Sequence, residues 1–232
     1  MDSVIIYSSG IDSYLLRKYL SFSHTDEKFK CVYYDIKCIY SRNEIDMIGQ
    51  QIVKEPFEYI IDDTFNFKDI ERSDSFIPNR NLHLLMHATK YGDKIYIGGT
   101  ASDRVSDNNE KILNDLSKIV SESLDKKIVF TSPFWNVYKS QIAEWYVKDD
   151  ITKKLDLVNL TFSCYTPIND KECLSCKACF RKNVVLSSIG IFRAFFNKTI
   201  IENYLHEYKS SINPNYRQIK SYEYICYLNE KM

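Results

Sequence analysis

Glycine and proline are scarce, with 6 and 5 among 232 residues. No low-complexity tract or internal repeat interrupts the chain, which excludes repeat and linker architectures. Long apolar runs are absent too. The chain opens MDSVIIYSSG, with an acid at position 2 and only Val4–Tyr7 consecutively apolar. That is neither a signal peptide nor a membrane span, so a cytoplasmic protein with reduced thiols is expected. Neither charge sign is in excess, since 31 Lys and Arg balance 31 Asp and Glu. A broad cationic surface is therefore missing, and direct nucleic-acid binding is not expected. The GxxxxGK[ST] signature does not occur, which excludes a Walker-type P-loop NTPase.

What is present is a regular alternation. Val4–Tyr7, Cys31–Asp35, Glu58–Ile61, Lys94–Ile97 and Ile128–Thr131 read as short strands rich in Val, Ile and Tyr. Helical patterns lie between and after them, at 13–20, 43–54, 81–91, 109–124 and 138–147. Strands separated by helices of this length predict right-handed crossovers and an α/β fold. The expected core is a Rossmann-like parallel five-stranded sheet with helices on both faces. Beyond residue 150 the alternation stops. A helical tail is expected from Lys182 to about Lys209, with Ile189, Phe192, Phe196, Ile200 and Tyr204 recurring at helical steps as a core-facing stripe. Pro214 ends it. Three units follow: residues 1–160, a cysteine segment at 161–185, and a helical extension at 186–232.

Four of the seven cysteines form Cys164-x8-Cys173-x2-Cys176-x2-Cys179. Four thiolates so closely spaced can close a tetrahedral Zn²⁺ site with no open position, as structural zinc requires. Disulfides or a chance cluster are the alternatives, but nothing suggests an oxidising compartment. Cys31 lies in an apolar run and reads as core. His83 and His87 stand one helical turn apart, but without a third ligand they read as ordinary helix positions.

Directly after the first strand comes Ser8-Ser9-Gly10-Ile11-Asp12-Ser13. In a parallel sheet such a loop lies at the C-terminal strand edge and opens a helix. There, free amides and small side chains can approach phosphate oxygens. Asp12 suits a cap or a Mg²⁺ ligand. The loop resembles the SGGxDS loop of the ATP pyrophosphatases (the PP-loop superfamily), with Ser9 in place of the first Gly.

Within that superfamily the cysteine spacing resembles the 7-cyano-7-deazaguanine synthase (QueC) family. Other stretches agree in order. Phe76–Leu82 is similar to its VPGRN segment, Ile97–Ala101 to its IxxG loop, and Ser132-Pro133 through Lys139–Ile142 to its P…KxxI element. Thr161–Tyr165 is similar to TWSCY, and Cys179–Lys182 to CxRR.

The resemblance implies an adenine nucleotide alpha hydrolase-like fold carrying a C-terminal zinc knuckle. It also implies a ligase that uses ATP, Mg²⁺ and ammonia to convert 7-carboxy-7-deazaguanine into its nitrile. The implied site has Ser8, Ser9, Gly10, Ile11, Asp12 and Ser13 holding ATP. Asp12, Arg80 and Lys139 supply catalysis, and Asp103 and Asp107 contact the substrate. Cys164, Cys173, Cys176 and Cys179 hold structural zinc. A homodimer is implied, and the tail is a candidate surface for a protein partner.

The family's DYSGYPDCRPEF stretch is replaced here by Ser102–Lys111, in which Asp103 and Asp107 match the two acids and Asn108-Asn109-Glu110 stands for Cys-Arg-Pro. Two other readings follow. One is an amide ligase joining a deazaguanine carboxylate to another amine, such as a protein in antiphage defence. The other is a non-catalytic nucleotide-binding, zinc-stabilised interaction module.

Overall fold

A computed structural model of the chain describes residues 2–73, 75–103 and 106–231. Five parallel strands are joined by helical crossovers: β1 (Ser3–Ile6), β2 (Phe29–Tyr34), β3 (Tyr59–Asp62), β4 (Lys94–Tyr96) and β5 (Val129–Thr131). Their spatial order is β3-β2-β1-β4-β5, so the direction of winding reverses beside β1. Ser3 pairs with Phe29 on one side and with Lys94 on the other. The crevice at the C-terminal end of β1 thus opens at the topological switch point, where doubly wound sheets bind ligands.

Successive residues of β1 face opposite layers, as strand pleating demands. Val4 joins one apolar cluster with Val32, Ile95 and Phe130. That cluster is covered by Leu85 of α3 (Arg80–Ala88) and Leu113 of α4 (Glu110–Leu124). Ile5 joins the other, with Cys31, Tyr33 and Tyr96. Its cover comes from Leu15 and Leu16 of α1 (Ile11–Ser23), Ile48 of α2 (Ser41–Lys54), and Ile142 and Tyr146 of α5 (Lys139–Val147). The inner strands β1, β2 and β4 are largely buried on both sides, which explains their continuous apolar reading, while edge strand β3 leaves Tyr59 and Ile61 exposed. Cys31 is core, and burial pushes its thiol up to about 12.

The C-terminal third differs from the sequence expectation. A helix, α6 (Ile151–Asn159), follows α5 where the sequence pattern suggested none. Asp150 caps it, accepting from the Thr152 amide at 2.8 Å. The expected continuous tail is broken into α7 (Lys177–Ser188) and α8 (Lys198–Lys209). Gly190 stops α7 in the left-handed region at φ 82. The Gly190 amide donates to Ser187 O at 3.0 Å and the Ile191 amide to Leu186 O at 2.9 Å, a full Schellman stop. The stripe is divided accordingly. Ile189 and Ile200 are buried, Phe195 takes a core position, and Phe192 and Phe196 are exposed.

A last helix, α9 (Tyr216–Lys231), buries Tyr224, Ile225 and Leu228 in the same cluster as Val4. The helical extension therefore shares the core of the sheet, and α7 runs across the expected boundary at residue 185. No described helix is long and apolar enough to cross a membrane.

Candidate active site

The Ser8–Ser13 loop connects β1 to α1 and is held by its own hydroxyls. Ser13 Oγ accepts from the Ser8 amide at 3.2 Å and donates to the Ser8 carbonyl. The Gly10 amide donates to Ser8 Oγ at 3.2 Å. The first amides of α1 lack helical acceptors, and the dipole adds partial positive charge there. Ser9 is buried and has no positive φ, so a side chain is tolerated where relatives of this loop carry Gly. Gly98, just past β4, approaches so closely that an added Cβ would stand 3.2 Å from Asp12 Cβ.

The loop forms part of the wall of a cavity of about 260 Å³. At one end, Lys139 of α5 reaches Asp12 Oδ2 at 2.7 Å and Asp103 Oδ1 at 3.0 Å. Burial opposes the charge on Lys139, but Asp103 and Asp12 outweigh it and hold the ammonium above its ordinary pKa. Burial likewise opposes ionisation of Asp103, yet Lys139 and two donors from Thr100 keep its carboxyl below the usual range. For Asp12 burial dominates over Lys139 and the pKa is raised. Its second oxygen, Oδ1, is buried without a hydrogen-bond partner among the described residues. Arg181 of α7 stands exposed at the mouth.

Other lining groups come from β2, α2, α3 and the cysteine segment. They include Tyr33, Tyr34, Tyr40, Glu44, Arg80 and Tyr165. Glu44 accepts from Tyr33 OH at 3.0 Å, and burial raises its pKa to about 7 against the pull of Tyr33 and Arg80. Tyr34 and Tyr40 are both buried, and their hydroxyls have no hydrogen-bond partner among the described residues.

Of the residues singled out from sequence, Ser8, Gly10, Ile11, Asp12, Ser13, Arg80, Asp103 and Lys139 line this one cavity, while Ser9 lies behind the loop. Asp107 is elsewhere. Its two oxygens accept from the Asn81 amide at 3.0 Å and Asn81 Nδ2 at 3.1 Å, fastening the head of α3. Arg104 and Val105 lie outside the described residues. His83 and His87 gather no further ligand among the described residues, and His87 Nδ1 faces Asp62 at 3.4 Å. Sequence reasoning missed Glu44, Tyr40 and Tyr165 as lining groups. A polar helix residue and two scattered tyrosines carry no spacing signal until the fold joins them.

The four cysteines converge. Their sulfurs all lie within 4.8 Å of one another, so the cluster can hold a metal ion. A single tetrahedral ion with bonds of ~2.3 Å sets sulfurs about 3.8 Å apart, and the Cys173–Cys179 pair stands at 3.9 Å. Backbone amides of Cys173, Ser175 and Cys179 point at sulfurs from 3.3 to 3.4 Å, as they do toward thiolates. Left-handed Leu174 (φ 54) makes the turn inside the first CxxC.

The knuckle is tied to the loop through Glu172. Its carboxylate receives Lys182 Nζ at 2.8 Å, an Arg193 guanidinium nitrogen at 2.7 Å and the Ser163 amide at 3.0 Å. Ser163 Oγ then accepts from the Ile11 amide at 3.4 Å, and the Phe162 amide donates to Ser9 O at 2.9 Å.

A switch-point cavity, a serine-rich loop at a helix head and a C-terminal four-cysteine knuckle define an α/β protein of the PP-loop superfamily. Residues 39–190, well over half of the chain, match the family model described as queuosine biosynthesis protein QueC. The chain belongs to the QueC family.

It is similar to the 7-cyano-7-deazaguanine synthase of Methanococcus vannielii, 27% identical over 56% of this chain and 60% of that protein. It is also similar to the synthase of that name from Buchnera aphidicola subsp. Schizaphis graminum, 25% identical over 66% of this chain and 65% of that one. The matches thus span about three fifths of the relatives' length. Among solved structures, the U34-tRNA thiolase NcsA from Methanococcus maripaludis with its [4Fe-4S] cluster aligns at a TM-score of 0.50 and 13% identity. That alignment covers 100% of this chain and 72% of the thiolase, a likeness of fold.

Proposed function

We propose that this chain is an ATP-dependent ligase that activates the carboxylate of 7-carboxy-7-deazaguanine and, with ammonia, makes 7-cyano-7-deazaguanine. Family membership and the two similar synthases support the substrate class. The observation that carries the chemistry is the Asp12–Lys139–Asp103 group beside the loop, one ammonium held protonated between two carboxylates in a shared cavity.

A carboxylate is a poor electrophile because attack by an amine would expel oxide. Attack of its oxygen on the α-phosphorus of ATP releases pyrophosphate and leaves an acyl adenylate. Ammonia displaces AMP, loses a proton and leaves an amide. A second adenylation, at the amide oxygen, lets elimination of AMP and a proton form the nitrile. No enzyme nucleophile is required, so positioning and fixed charge supply the catalysis.

In this reading Ser8, Gly10, Ile11, Asp12 and Ser13 face the phosphates, and Ser9, fully buried, supports the turn. Lys139 and Arg80 set positive charge against them, and Arg181 adds a third cation. The unpartnered Asp12 Oδ1 is a free hard oxygen suited to Mg²⁺, which would neutralise phosphate charge when bound. The cysteine knuckle would hold Zn²⁺, because four thiolates closing on one point fit a single ion and leave no position for a reacting water.

The test is incubation with ATP, Mg²⁺ and 7-carboxy-7-deazaguanine, with and without ammonia, followed by mass spectrometry. The nitrile should appear only with ammonia, with two AMP per nitrile. AMP accompanied by an amide and no nitrile would mark an amide ligase. No ATP consumption in any mixture would leave a binding module and contradict the proposal.

A further inference from the structure

Three carboxylates line the cavity among the described residues: Asp12, Asp103 and Glu44. Asp103 is saturated, with one oxygen on Lys139 and the other taking both Thr100 donors. Asp12 belongs to the phosphate loop and to Lys139. Asp107, the second acid that the sequence suggested for substrate, is spent on Asn81 outside the cavity wall. Of the three carboxylates, Glu44 is therefore the one not committed to Lys139. One of its oxygens takes Tyr33 OH, and no described residue donates to the other.

Its surroundings suit a flat, polar ring. Tyr40 and Tyr165 stand with ring centroids 5.6 Å apart, and both line the cavity with Arg80. Tyr40 is 3% exposed, and its hydroxyl has no hydrogen-bond partner among the described residues. A buried, unpaired hydroxyl is costly unless a ligand completes it.

A guanine-type ring offers two adjacent donors, the ring N–H and the exocyclic amine, which match the two oxygens of a carboxylate. An adenine ring offers an amine beside an acceptor nitrogen and does not match. Resting on the function proposed above, we infer that Glu44 is the specificity residue that reads the N–H and amine edge of the 7-deazaguanine ring. Tyr40 completes the polar contacts of that subsite.

The geometry of the substrate supports the assignment. Its 7-carboxylate lies on the five-membered ring, away from the donor edge. Holding that edge at Glu44 sends the carboxylate toward the rest of the wall, which the loop, Lys139 and Arg181 supply.

Equilibrium binding of ATP and of 7-carboxy-7-deazaguanine, measured separately on wild type, Glu44→Gln and Tyr40→Phe, tests the inference. The wild type is also titrated with the analogue that lacks the exocyclic amine, a comparison that needs no variant. Glu44→Gln should weaken deazaguanine binding roughly 10- to 100-fold and leave ATP binding unchanged. The missing amine should cost the wild type a similar factor but cost Glu44→Gln little, the mark of a direct pairing. Loss of ATP affinity in Glu44→Gln, or equal binding of the two ring analogues by wild type, would overturn the inference while leaving the proposed reaction standing. Wild type that binds ATP but not 7-carboxy-7-deazaguanine would overturn the proposed function, and this inference with it.

Discussion

Glu44 is held in a state that costs the fold something. Burial raises its pKa to about 7, although Tyr33 and Arg80 pull the other way. An unfolded Glu titrates near ~4.3. Between those values the folded chain binds the extra proton, so this group lowers stability as pH rises through the window, and the loss is complete above about 7. A neutral glutamine is spared that cost. Glu44→Gln should therefore gain in melting temperature relative to wild type between pH 5 and pH 8, with the gap widening up to about pH 7 and levelling above it. Thermal unfolding across the range checks it. A gap that stays constant would show that Glu44 is solvated and ordinary.

At the scale of elements, the contact that matters is between the cysteine knuckle and the Ser8–Ser13 loop. Glu172 sits next to a knuckle cysteine, its side chain 8% exposed, between Lys182 and Arg193. Burial would raise its pKa, but the two cations hold its carboxyl below the ordinary range. The stability this supplies is present above the unfolded pKa of a glutamate and is lost as pH falls through the folded value. Glu172→Gln keeps an acceptor oxygen but leaves the buried Lys182 ammonium without its opposite charge, beside the Thr161 carbonyl. The expected cost is about 3 kcal/mol, the low end for breaking a buried pair, because Arg193 can turn to water. Denaturant unfolding at pH 7 measures it, and a change under about 0.5 kcal/mol would place the knuckle's anchorage elsewhere. Since Ser163 bridges Glu172 to the Ile11 amide, the variant should also weaken ATP binding.

At the scale of the whole molecule, the parallel sheet was legible because its strands are short Val, Ile and Tyr runs, those at the centre buried on both faces. All five strands fall within two residues of their expected bounds. The loop and the cysteine cluster were legible because their chemistry is local, written within six and sixteen residues. The tail was misjudged where a periodic stripe outweighed punctuation. Gly190 and the Asn197 cap, which accepts from Ile200 N at 3.1 Å, break it, and the stripe has no means of announcing either. The last helix also had a readable start. Asn215 and Gln218 exchange hydrogen bonds as a capping box, at 2.8 and 3.1 Å. The Tyr40 and Tyr165 wall of the cavity was not legible, since the two rings lie 125 residues apart in sequence and meet only in the fold.

The central claim is that ATP is used to activate a carboxylate. The most direct measurement places ¹⁸O in the carboxylate of 7-carboxy-7-deazaguanine and follows the label by mass spectrometry during turnover with ATP, Mg²⁺ and ammonia. Attack on the α-phosphorus predicts one ¹⁸O in each AMP released, with unlabelled pyrophosphate. Label found in inorganic phosphate beside ADP, or AMP formed without label, would contradict the account.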